Sequence, residues 1–115
     1  MKRVFFALML ALAPSLPAAD ETPAQNPVWM MVAFEVASYD TWRAAFDSDL
    51  SLRRDAGELS FEINRFPRFP NQIIAIFKWD SAERAQAFIS DPALHASMKA
   101  GGVVSKPTIT FHEEP

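Results

Sequence analysis

The sequence predicts an α+β domain in the order β-α-β-β-α-β, with four antiparallel strands and two helices on one face of the sheet. Three observations predict it. Two runs, Val28–Val36 and Gln72–Trp79, alternate apolar residues on both of their faces, the pattern of strands covered on both sides. Two other stretches, 39–57 and 82–100, carry apolar residues at helical spacing. Turn residues separate these segments: Gly57, the Pro67/Pro70 region and Gly101-Gly102.

The chain begins with Lys2 and Arg3, an apolar run Val4–Ala13, then Pro14, Ser15 and the small pair Ala18-Ala19. That order predicts a secretory signal peptide over 1–19. The apolar run is shorter than the roughly 18 to 20 residues that span a bilayer. Leu16 and Pro17 lie where a small residue is preferred, so the scissile bond is not fixed. Residues 20–27 hold two prolines and no apolar periodicity, which predicts a flexible linker ahead of a domain over 28–115. Loss of Lys2 and Arg3 leaves nine basic residues against fourteen acidic, a net charge of about −5. That balance excludes a nucleic-acid partner. With no cysteine, an exported chain has no disulfides, and its core must hold the fold, extended by a second copy. The expected location is the periplasm or the medium, without stable membrane insertion.

In strand one, Trp29, Met31 and Ala33 share one face, and Met30, Val32, Phe34 and Val36 the other. The first helix is expected as one element from Tyr39 to Ala56. Ser38 or Asp40 caps it and Gly57 ends it. Its apolar stripe contains Trp42, Ala45, Phe46, Leu50, Leu52 and Ala56, and Asp49 and Arg53 interrupt it. Strand two is expected at Leu59–Phe66, a proline-containing connection at 66–71, and strand three at Gln72–Trp79. Asp80 with Glu83 reads as a capping box for a helix whose inward residues are Ala82, Ala85, Phe88 and Ile89. Asp91-Pro92 restarts a short helix with Leu94 and Met98 inward, and Gly101-Gly102 ends it. Strand four is expected at Thr108–His112. This is the ferredoxin-like arrangement. It leaves one sheet face bare and apolar, which predicts a homodimer through that face.

The combination Tyr39-Asp40-x-Trp42, Phe46-Asp47, Leu52-Arg53, Ala56-Gly57, Ala87-Phe88, Pro92-x-Leu94, Met98, Gly102-Val103 and Pro107-x-Ile109-x-Phe111 with Glu113-Glu114 resembles the dimeric α/β-barrel superfamily. Its small bacterial members are called antibiotic-biosynthesis-monooxygenase-like or cyclase-like. The resemblance spans about residues 32–114 and implies a fold more than a reaction. The superfamily includes cofactor-free monooxygenases, haem-degrading enzymes, muconolactone isomerases and polyketide cyclases. The position of Asp49 is commonly His in that pattern, so a histidine mechanism does not transfer directly, although a carboxylate also accepts protons.

The candidate catalytic residues are Asp49 and Arg53. Their i,i+4 spacing sets them side by side on an apolar face, where they either pair structurally or line a pocket. In the second case Arg53 binds an anionic or carbonyl oxygen and Asp49 takes a proton. Trp42, Phe46, Phe34, Phe61 and Arg65 are the candidate ligand-binding residues. Asn64 and Arg65 point to opposite faces, so at most one of them joins this cluster. His95 and His112 are too far apart to form a metal site, and the three glycines fit no nucleotide-binding loop. The expectation is therefore a protein without cofactor or metal, holding a small apolar or aromatic molecule between the first helix and the sheet. The alternatives are a cofactor-independent monooxygenase or a cyclase/isomerase on an aromatic or polyketide-like substrate, and a dimer with a structural role only.

Overall fold

The computed structural model describes residues 26–113. The expected signal peptide and all but the last two residues of the expected linker lie outside the described residues. The elements are β1 (Val28–Glu35), α1 (Tyr39–Ser48), α2 (Leu50–Ala56), β2 (Glu58–Phe66), β3 (Phe69–Trp79), α3 (Ala82–Ile89), α4 (Pro92–Ala100) and β4 (Thr108–Glu113). All strand pairs are antiparallel, in the order β2-β3-β1-β4. This is the predicted ferredoxin-like α+β fold. Among the described residues no helix is long and apolar enough to cross a membrane.

The β1–β3 register places Val28, Met30, Val32 and Phe34 opposite Trp79, Phe77, Ala75 and Ile73. These residues are all buried, with Val36, Trp42 and Ala85 packed on them. Alternation sends Trp29, Met31, Ala33, Ile74, Ile76 and Lys78 to the opposite face, where each is only half-buried. Ser60, Glu62 and Asn64 on β2, and Thr108, Thr110 and His112 on β4, flank that apolar strip.

The first helix is not one element. It breaks at Asp49, which ends α1 and precedes α2. At the break Arg53 Nη1 donates to the Phe46 carbonyl at 2.6 Å, beside the Asp49 amide. A guanidinium thus satisfies one of the last carbonyls of α1, at the end of the helix dipole that favours a cation. The break turns Leu52 outward, 60% exposed, against its expected place on the buried stripe. Ser38 is the N-cap, accepting from the Thr41 amide.

Gly57 closes α2 with φ 124, and its amide donates to the Arg53 and Arg54 carbonyls. A Cβ here would lie 2.7 Å from the Asp80 Oδ1, so both backbone angle and space require glycine. β3 begins at Phe69 rather than Gln72 and contains Pro70. Pairing with β1 stops at Gln72, so position 70 owes that neighbour no ladder donor. Ser81, not Asp80, caps α3, accepting from the Arg84 amide. Asp80 instead forms an ion pair with Arg84. Ala82 is exposed, and the inward residues of α3 are Ala85, Phe88 and Ile89. Asp91 caps α4 and Pro92 opens it, as the sequence predicts.

Candidate functional site

Between the helices and the sheet lies a cavity of about 840 Å³. Its floor is Met30, Val32 and Phe34 of β1 with Phe77 and Trp79 of β3, because the even face of β1 and the odd face of β3 point toward the helices. One wall is α1 and α2, through Trp42, Ala45, Phe46, Asp49 and Arg53. The other is α3 and α4, through Phe88, Leu94, Ser97 and Met98. The void exists because α4 stands off the core: none of its residues is fully buried.

Several contacts join the walls, among them the bond from Arg84 Nη2 on α3 to the Asp55 carbonyl on α2 at 2.6 Å. At Gly101 an added Cβ would lie 3.4 Å from the Ala45 Cβ, so small residues let the C-terminal end of α4 approach α1. The Ser97 hydroxyl donates to the Asp49 Oδ2 at 3.1 Å. The segment after α4 is tied to β1: the Val104 amide donates to the Glu35 carbonyl, and the Glu35 amide donates to Ser105 Oγ at 2.8 Å.

Asp49 and Arg53 both line the cavity but do not pair with each other. Arg53 Nε donates to the Glu58 Oε1 at 2.5 Å, in an ion pair whose side chains are 5% and 0% exposed. The helix break explains the exchange. Bent back to reach the Phe46 carbonyl, the guanidinium faces the first residue of β2 rather than the residue one turn earlier. It also stacks 3.6 Å from the centre of the Phe46 ring. Arg53 Nη2 and Glu58 Oε2 have no hydrogen-bond partner among the described residues. Arg54 Nε lies 3.6 Å from Oε2, an ion pair without a hydrogen bond. Glu58 escaped sequence reasoning because it falls just after Gly57, where the pattern gives only a turn.

Of the aromatic candidates, Phe34, Trp42 and Phe46 line the cavity. Trp42 stacks on Phe46 at 4.9 Å and meets Phe34 at 5.3 Å. Phe61 stands behind this row, edge-on to Phe46 at 5.0 Å, and is not on the lining. Arg65 shares the inner face but lies beyond the cavity. Its guanidinium covers the Tyr39 ring at 3.7 Å, and its Nε donates to the Pro70 carbonyl. Asn64 is on the outer face.

Ser97, Lys99 and Lys106 reach the cavity unannounced by any motif. His95 is exposed and also lines the cavity, with Nε2 2.8 Å from the Ile89 carbonyl. Outside the cavity, a hydrogen bond to the Tyr39 hydroxyl and the neighbouring Asp47 carboxylate raise the Arg43 pKa above its ordinary value, against a lowering by partial burial. Arg43 is thus a fixed cation, from which no pH dependence of folding arises.

No family profile and no curated protein matches the sequence. The fold is shared with solved structures of low identity. A Bordetella bronchiseptica protein described as a candidate antibiotic biosynthesis monooxygenase is 12% identical, with a TM-score of 0.65 over 79% of this chain and 99% of that one. SnoaB, a cofactor-independent oxygenase from Streptomyces nogalater, is 13% identical, with a TM-score of 0.61 over 78% and 96%. The NE2512 protein of unknown function from Nitrosomonas europaea is 18% identical, with a TM-score of 0.60 over 78% and 90%. The chain therefore shares the fold of these structures, the α+β arrangement that the sequence motifs imply.

Proposed function

We propose that this chain is exported, pairs with a second copy through its outer sheet face, and binds a small, largely apolar or aromatic molecule in the cavity between the helices and the sheet. The observation that carries the ligand reading is the cavity itself. At about 840 Å³ it falls within the roughly 300–1,000 Å³ of small-molecule sites, and an aromatic floor with a few polar groups on its walls is their usual lining. The half-exposed strip of Trp29, Met31, Ala33, Ile74 and Ile76 supports the dimer. The test is titration with a neutral naphthalene derivative, read by quenching of tryptophan emission. The wild type is expected to bind. Leu94→Trp adds bulk to the lining on a helix with no fully buried residue, and is expected to lose binding while staying folded. Absence of binding in the wild type would leave a dimer with a structural role.

A second reading, cofactor-independent oxygenation of an aromatic substrate, is supported by Asp49. It is a carboxylate on the cavity wall whose one side-chain donor among the described residues is Ser97, and it is placed to accept a proton from a bound acidic hydroxyl. The likeness to SnoaB favours the same class. Oxygen uptake with a polycyclic phenol, lost in Asp49→Asn, would support it. Binding without uptake would remove it.

A further inference from the structure

Among the described residues, four arginines on the helices are paired with carboxylates, and two lysines of the cavity lining are not. Arg43, Arg53, Arg54 and Arg84 each face a carboxylate within ion-pair distance. Lys99 and Lys106 do not pair with any carboxylate among the described residues. Both are exposed and both belong to the cavity lining, which sets them at its opening.

The two carboxylates on the same lining carry charge but are held by neutral donors, away from ion-pair contact with either lysine. Asp49 accepts from Ser97, and Asp91 accepts from the Ala93 amide. Deeper in, Arg53 Nη2 is a further donor without an acceptor among the described residues. What sets the opening apart is therefore two lysines without an ion-pair partner among the described residues, in a chain whose formal net charge is −3, so they do not reflect a generally basic surface. Their positions are also held. Lys99 is in the last turn of α4, and Lys106 follows Ser105, whose hydroxyl is fixed by the Glu35 amide.

We infer that the molecule taken by the cavity is an amphipathic anion, its apolar body against the aromatic floor and a carboxylate- or sulfonate-type head at the opening, facing Lys99 and Lys106. This deepens, and rests on, the ligand reading above. An ammonium is a compact charge on a flexible stem, suited to an anionic head that needs no fixed geometry.

The test compares 2-naphthoate with its neutral isostere 2-naphthamide by calorimetry, on the wild type and on Lys99→Gln/Lys106→Gln. Both positions are exposed, so the variant is expected to keep its fold, which circular dichroism checks. Two solvent-exposed charge pairs give an expected wild-type preference for naphthoate of about 2- to 30-fold. That preference should shrink as salt rises and disappear in the variant, with amide affinity unchanged. Equal affinities in the wild type, or a preference that survives the double replacement, would overturn the anion assignment while leaving the cavity reading intact. Failure of both compounds to bind the wild type would overturn the two together.

Discussion

Replacing Glu58 with alanine would leave a charged guanidinium buried beside Phe46 without its carboxylate. Arg53 and Glu58 are 4% and 2% exposed, and their contact is 2.5 Å, so water is not available to solvate what remains. Removing one member of such a pair costs about 3–5 kcal/mol. Loss of the Arg54 approach adds little, because that guanidinium is half exposed. A domain of ordinary stability has about 5–15 kcal/mol in total. With a urea slope near 1–1.5 kcal/mol per molar, the midpoint should fall by about 3 M. Urea unfolding followed by tryptophan emission measures it, since Trp42 and Trp79 are buried in the core. Arg53→Met/Glu58→Leu should recover at least half of the loss, because apolar residues of similar volume replace buried pairs at little net cost. The Phe46 carbonyl would still accept from the Asp49 amide. Asp49→Ala, by contrast, should cost about 0.5–1.5 kcal/mol, the worth of its bond with Ser97. Should Asp49→Ala destabilise as much as Glu58→Ala, or should Glu58→Ala cost under about 1 kcal/mol, the assignment of Arg53's partner is wrong.

Three further outcomes are expected. Gly57→Ala should lose at least about 2 kcal/mol in the same unfolding assay, because the positive φ and the Asp80 carboxylate both oppose a Cβ. Met31→Lys, on the outer strip of the sheet, should convert a dimer to a folded monomer by light scattering, and a wild type that is already monomeric at micromolar concentration would dispose of the dimer. Intact-mass measurement of the exported protein should show the chain starting near Asp20, whereas a retained Met1 would mean that the leader is not cleaved.

The order of elements, the antiparallel sheet and its two-sided apolar strands were legible in the sequence because each follows from local rules. Strand alternation has a period of two whatever the partner. Ser38, Asp91-Pro92 and Gly57 act within a few residues of where they stand. The family motifs pointed to the same architecture.

The site was legible only in part. Phe34, Trp42, Phe46, Asp49 and Arg53 were named, and they do share one cavity, but the pairing of the two charges was not fixed by their spacing. Arg53 had three groups in reach: Asp49 one turn back, the Phe46 carbonyl, and Glu58 beyond the glycine. The choice among them goes with the helix break and depends on how α2 meets β2. The bond between Asp49 and Ser97 joins residues far apart in the chain, so no local pattern predicts it. Nor does any segment carry the cavity. An apolar stripe reads as core whether or not its neighbour reaches it, and here the void is the distance that α4 keeps from the sheet, a quantity set only when all the elements are packed together.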